Sequence, residues 1–412
     1  MIEDRVATAI RAYVDAGELA GAAALVWRDG KAHITTVGWR NVDARLPIER
    51  DTIFRIASMT KPVTSTAALM LFEEGRFALD DPITYWAPEF SQMRVLRSPD
   101  APLVETDPAE RPITFEDLLT HRSGLTDGDF HRGPIASAYR EALGGAIDSE
   151  VAPDRWIERL ATLPMIDQPG RSFHYGRSTD LLGLLIARME DAPLEDVLKR
   201  RIFDRLGMTD TSFTVAKEKH SRRAGLYGFD ETGRLIALRT APGGHTLPER
   251  PDDMAYVSGG QGLWSTLDDY LAFARMFVEE GAVDGVRLLR SDTLTMMASN
   301  RLTDNQRATS KLLGLPIFAS GHGFGMGVAV VMEPDKAEPT RCGGGAGSVG
   351  WPGAYGGWRQ ADPNDGTVLI FLAHSMFQLD QLAKGIGLGV WDAITQFQAL
   401  GSASQRSHRS GM

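Results

Sequence analysis

Ser58 and Lys61 place a hydroxyl and an amine three residues apart in Ser58-Met59-Thr60-Lys61, where a helical pattern begins. Residues at i and i+3 share a helix face, so the two side chains can meet. Val63, Ala67, Met70 and Leu71 follow with the spacing of a buried stripe, and Gly75 offers a stop. Pro62 suits a first helical turn, where backbone N–H groups lack an internal partner, although the residue before a proline, here Lys61, is biased away from helical angles. In such a helix Ser58 stands at the positive end of the dipole, and a neutral Lys61 amine can take its proton. A serine opening a helix is also an ordinary cap. The pair therefore needs company before it signals chemistry.

Acyl transfer on a serine needs a proton relay, an oxyanion site and a shaped pocket. Tyr175, in a Gly-bearing loop just before a helical pattern at 178–190, is a candidate relay to Lys61. A free phenol titrates near 10, so that role needs nearby positive charge to favour the phenolate; the alternative is a packing tyrosine. Trp351-Pro352-Gly353-Ala354 opens a strand pattern, and a glycine there permits close backbone approach. The Ala354 N–H can then face a bound carbonyl opposite the Ser58 N–H; the alternative reading of Trp351 is a loop aromatic capping the core. His121-Arg122-Ser123-Gly124-Leu125 reads mainly as a helix end with Gly124 as the stop.

These residues must be positioned by a scaffold of 412 residues with ordinary globular composition. The net charge of −10 and scattered Lys and Arg argue against nucleic-acid or anionic-membrane binding. Cys342 is the single cysteine, which excludes an intrachain disulfide and a Cys-based metal site. The N-terminus reads as an amphipathic helix, not a signal peptide, and no run has membrane-spanning length, so a cytoplasmic enzyme is expected. Strand patterns at 22–27 and 32–37 flank an Asp29-Gly30 turn, and three more are expected at 323–332, 354–361 and 367–374. Helical patterns fill 63–74, 115–121, 154–163, 178–190, 194–206, 267–280 and 291–298, with a closing helix over 378–400. The expected architecture is α/β (α+β), with one sheet built from both chain ends and flanked by the terminal helices. Residues 1–80 and 265–400 form this part, 81–264 an inserted mainly helical domain, and 401–412 a disordered polar tail. A cleft is expected where sheet and inserted helices meet.

Four ordered motifs carry a family resemblance: Phe54-Arg55-Ile56-Ala57-Ser58-Met59-Thr60-Lys61; Leu118-Leu119-Thr120-His121-Arg122-Ser123-Gly124-Leu125; Tyr175 before Asp180-Leu181-Leu182-Gly183; and Gly350-Trp351-Pro352-Gly353-Ala354-Tyr355-Gly356. The series resembles the serine β-lactamase-like superfamily, specifically its class C β-lactamase-like carboxylesterases (family VIII esterases), over roughly residues 5–400. The resemblance implies a β-lactamase/transpeptidase-like fold with an antiparallel sheet. It also implies an acyl-enzyme on Ser58, proton transfer through Lys61 and Tyr175, and an oxyanion hole from the Ser58 and Ala354 N–H groups. No metal or cofactor is implied.

Departures from the family pattern select among chemistries. Penicillin-recognising members carry Tyr-x-Asn and Lys-Thr-Gly, where this chain has Tyr175-Gly176-Arg177 and Trp351-Pro352-Gly353. The grips for a β-lactam side-chain amide and carboxylate are thus missing, and an aromatic wall at Trp351 beside Gly353 suits an apolar ester. Arg177 either greets a substrate carboxylate or is a solvated surface arginine. The expectation is a serine carboxylesterase acting on a small-molecule ester. The alternatives on the same scaffold are an amidase or D-amino-acid peptidase, an acyltransferase or a weak β-lactamase; a non-catalytic binding protein is the rival of a different class. A second arrangement, Ser348 within Ala346-Gly347-Ser348-Val349-Gly350 followed by Asp362 and His374, mimics a nucleophile elbow and triad. It lacks the first glycine and the intervening strand and helix units, and is set aside.

Overall fold

A computed structural model of the chain describes residues 2–144, 147–238, 250, 254–312, 314–318, 320–376, 381 and 384–403. Helix α1 (Ile2–Asp15) leads into strands β1 (Gly21–Arg28), β2 (Lys31–Asn41) and β3 (Leu46–Pro47). Asp29 and Gly30 both take positive φ, +50° and +72°, the conformation a two-residue hairpin turn requires. The central helix α2 (Lys61–Glu73) follows, then α3 (Ser178–Glu190) and α4 (Leu267–Ala274). The chain returns through β4 (His322–Phe324), β5 (Ala329–Val331), β6 (Val349–Gly353), β7 (Gly357–Asp362), β8 (Thr367–Ala373) and α5 (Leu388–Ala403).

The sheet has eight strands in the order β4-β5-β6-β7-β8-β1-β2-β3, with every pair antiparallel. Its two chain ends meet where β8 pairs with β1, Ala22 opposite Ala373 and Trp27 opposite Val368. Side chains alternate across this seam. Ala22, Ala24, Val26, Leu369 and Phe371 pack on α1 and α5, while Ala23, Leu25, Val368, Ile370 and Leu372 join the core shared with the helices. Burial on both faces explains why β8 reads as an uninterrupted apolar run. This is a β-lactamase/transpeptidase-like fold. Among the described residues no helix is long and apolar enough to cross a membrane.

The segment expected as one strand over 323–332 is two strands, His322 facing Val331 across a turn. Gly327, at φ +84°, lets the chain reverse there. The segment expected to begin a strand at Trp351 is likewise a hairpin, with β6 ending at Gly353 and β7 beginning at Gly357. Ala354 therefore lies in the turn, and not on a strand. Pro134–Leu143 is a helix that the sequence reading does not anticipate, although its buried Ile135, Ala136, Tyr139 and Leu143 share one face. The closing helix runs over Leu388–Ala403 after a turn at 384–387, so residues 401–403 of the expected tail are helical; 378–380 and 382–383 of the expected helix, and 404–412, lie outside the described residues.

His374 immediately follows β8 and ties the end of that strand to neighbouring loops. Its Nδ1 bonds the Ala224 carbonyl at 2.9 Å, and its ring sits edge-on to Phe54, Trp264 and Tyr355. Burial pushes its pKa down to about 4. A folded-state value below the unfolded one, near 6.5, means that this histidine's contribution is complete above about pH 6.5 and is lost as pH falls toward 4. Stability should therefore drop on acidification through that window, by an amount of the order of 3 kcal/mol from this group. Replacing it with an amide, His374→Gln, is expected to flatten the decline in melting temperature between pH 6.5 and 4.5; an unchanged decline would refute the assignment.

Candidate active site

Ala57–Thr60 form a single 3₁₀ turn that runs directly into α2. Positions i and i+3 eclipse in such a turn, which sets Lys61 over Ser58. Lys61 is helical, φ −54° and ψ −46°, despite the proline that follows it. Its Nζ lies 3.2 Å from Ser58 Oγ and donates to the Gly260 carbonyl at 2.9 Å. Ser58 is 5% exposed and Lys61 only 1%. The residue before Ser58, Ala57, holds φ at +45°. A side-chain-bearing residue rarely adopts that angle, and it persists only where the surroundings over-determine it. They do here: Ile56 N–H donates to the Leu263 carbonyl at 3.0 Å, Leu263 N–H to Thr60 Oγ1 at 3.2 Å, and Tyr270 OH to the Met59 carbonyl at 2.9 Å.

Tyr175 presents its ring face to the same amine, with Lys61 Nζ 4.5 Å from the ring centroid. Its hydroxyl accepts the Trp351 indole N–H at 2.9 Å. The indole can only donate, so the phenolic hydrogen of Tyr175 is not spent on it. Trp351 is itself buried, its ring 5.3 Å from Tyr175 and 5.2 Å from Phe324. It thus orients the phenol and adds to an apolar cluster with Phe173, Phe318 and Phe324, against which Phe130 packs. Gly353 serves the backbone: a Cβ there would lie 2.5 Å from the Ile56 carbonyl oxygen. Strand β6 and the turn that carries Ser58 can approach only because that Cβ is missing. Ala354 follows immediately in the turn.

The structure corrects the reading of Arg177. Its side chain is 4% exposed, with Nε 2.9 Å from Asp127 and Nη1 3.7 Å from Asp180, so it is neither a solvated arginine nor a group offered to substrate. Burial opposes its charge, and the carboxylates of Asp127 and Asp180 overcome that, holding the guanidinium protonated. His121 is the residue that sequence reasoning underrated. It is fully buried at φ +55°, with its ring centroid 4.9 Å from that of Tyr175 and Nε2 3.3 Å from Thr179 Oγ1. Burial, reinforced by the charge of Lys61, holds its pKa well below the usual value, so it packs behind Tyr175 as a neutral ring. Gly260 and Asp180 also escaped a functional reading, although Asp180 opens one of the four ordered motifs and a Gly259-Gly260 pair in an irregular stretch is a backbone-approach signal.

Ser348, Asp362 and His374 do not assemble. Ser348 adjoins the Asp362 end of the sheet, whereas His374 follows the far end of β8, about 20 Å away at strand rise. Among the described residues no group of three or more His, Cys, Asp or Glu is arranged to hold a metal ion.

A positioned acid–base contributes about 10²–10⁴-fold, and members of one unit are far from additive. Lys61→Ala and Tyr175→Phe should each lower kcat by at least about 10²-fold, with the double variant little worse; multiplying losses would show independent roles. Trp351→Phe keeps a ring but removes the donor to Tyr175, and should cost about 5- to 10-fold in kcat, the worth of one hydrogen bond. Unchanged steady-state kinetics in that variant would remove Trp351 from the relay.

The chain as a whole is similar to several known proteins. The profile of the family described as Beta-lactamase matches residues 6–386. An uncharacterized protein of Mycobacterium tuberculosis is 45% identical over 364 residues, covering 88% of each chain. Esterase EstB of Burkholderia gladioli is 29% identical over 376 residues, covering 87% of each. Among solved structures, EstCE1, described as a hydrolase with promiscuous acyltransferase activity, superposes with a TM-score of 0.77 at 23% identity, covering 96% of this chain and 98% of its own.

Proposed function

The chain belongs to the beta-lactamase family, and from that premise we propose that it is a serine hydrolase cleaving carboxylic esters through an acyl-enzyme on Ser58. The observation that carries the proposal is the buried contact of Lys61 Nζ with Ser58 Oγ at 3.2 Å, under the ring of Tyr175. Ser58 Oγ attacks the ester carbonyl while its proton passes to the Tyr175–Lys61 pair. The N–H groups of Ser58 and Ala354 take the developing oxyanion. Collapse breaks the C–O bond, the pair returns the proton to the departing alcohol, and the acyl group stays on Ser58. Water then attacks the acyl carbon and gives a proton to the same pair; the bond from the acyl carbon to Ser58 Oγ breaks, the pair returns that proton to Oγ, and the carboxylic acid leaves. Preorganised backbone donors of this type are worth about 2.7–4 kcal/mol each.

The esterase reading is supported over β-lactam hydrolysis by what β6 presents. Trp351 and Pro352 stand where a cation and hydroxyl would anchor a β-lactam carboxylate, and Arg177 is engaged by two buried carboxylates. The apolar cluster around Tyr175 and Trp351 favours an ester with an apolar acyl or alcohol part. The name of the Burkholderia relative agrees with this reading. Specificity is a difference between two transition-state affinities, and the missing grips act on only one. Each lost charged hydrogen bond is worth about 1.5–3 kcal/mol. Purified protein should show a kcat/KM for a short-chain p-nitrophenyl ester at least about 10²-fold above that for nitrocefin, and Ser58→Ala should abolish ester turnover. Comparable values for both substrates would favour a β-lactamase.

A further inference from the structure

Lys61 can meet Ser58 only if its flexible side chain is held, and the holder is a backbone carbonyl in an irregular segment. Residues 254–263 contain no helix or strand, so the Gly260 carbonyl gains its position from side chains around it. The peptide between Gly259 and Gly260 is gripped at both ends. Thr64 Oγ1, three residues beyond Lys61 on α2, donates to the Gly259 carbonyl at 2.6 Å. The Gly260 N–H donates to Asp180 Oδ1 at 3.3 Å. The same carboxylate accepts from Tyr256 OH at 3.2 Å and from Ser258 Oγ, both in this segment. Asp180 is fully buried in the first turn of α3, where a helix N-terminus favours negative charge, and Arg177 lies beside it.

We propose that Asp180 is a positioning residue for the acyl-transfer reaction: its carboxylate gathers Tyr256, Ser258 and Gly260, and thereby sets the carbonyl that aims Lys61 at Ser58. The inference rests on the proposed role of Ser58 and Lys61. Burial and the charge of Asp180 push the Tyr256 phenol well above its usual value, which keeps it a donor in this cluster. Space around Gly260 is matched to the carboxylate, since a Cβ there would lie 3.0 Å from Asp180 Oδ2. Arg177 offsets two carboxylates, but only Asp180 touches the 256–260 segment; Asp127 faces the same guanidinium from elsewhere. That separation supplies a control.

Three variants of the full chain test the idea with a p-nitrophenyl ester and with the rate of labelling by a fluorophosphonate. Misplacing a catalytic group by about 1 Å can cost about 10²-fold. Asp180→Asn and Gly260→Ala should each lower kcat and the labelling rate by about 10- to 100-fold, with KM changed less than about threefold. Asp127→Asn removes an equal charge from Arg177 without touching Gly260, and should keep kcat within about threefold even if it lowers the melting temperature. Equal losses in Asp127→Asn and Asp180→Asn would reduce Asp180 to a stability role and overturn the proposal. Should Asp180→Asn fail to fold, Gly260→Ala decides alone, and a retained kcat overturns the proposal. Wild-type protein that is not labelled at Ser58 would instead defeat the acyl-enzyme reading itself.

Discussion

Burying the Lys61 amine beside Ser58 is the constraint on which the rest of the site depends. An amine taken from water without partners is costly whenever it is charged. Lys61 has three: Ser58 Oγ, the Gly260 carbonyl and the face of Tyr175. An ammonium has three donors and no acceptor, so this set suits it. A neutral amine retains two hydrogens for the carbonyl and ring, and turns its lone pair toward the serine hydroxyl. In the proposed mechanism the same three partners would serve the states before and after proton transfer, and little would have to move.

Holding that arrangement requires elements from distant parts of the chain to converge on one 3₁₀ turn. The strained Ala57 is locked by Leu263 and Tyr270 on one side and by the bare backbone of Gly353 on the other. Gly357 continues that surface, since a Cβ there would lie 2.9 Å from Met59 Sδ. Tyr175 is fixed from behind by His121 and at its hydroxyl by Trp351, which comes from β6. The closed seam between β8 and β1 is what allows a strand near residue 350 to face a helix beginning near residue 58. Rigidity comes from the sheet and the buried α2, and Ser58 and Lys61 sit at their junction.

Much of this was legible in the residues themselves. Local signals worked where local physics rules: the Asp29-Gly30 turn, the apolar run of β8, and the Ser58–Lys61 spacing at a helix start. The 323–332 segment read as one strand because its apolar residues run almost unbroken, and only the fold shows the chain reversing at Gly327. Arg177 was misread because a buried arginine is recognised only by its partners, and Asp127 and Asp180 are brought to it by the tertiary fold. His121 was underrated for a similar reason. Its residue type also fits a helix end, and only the fold stacks it on a tyrosine more than fifty positions away.

One serine, held by this buried amine, is proposed as the nucleophile of the reaction. Peptide mapping by mass spectrometry after brief reaction with a fluorophosphonate reads that directly. A single stoichiometric phosphonyl adduct is expected on Ser58, absent from Ser58→Ala and strongly slowed in Lys61→Ala. An adduct on Ser348, or one whose rate is indifferent to Lys61, would contradict it.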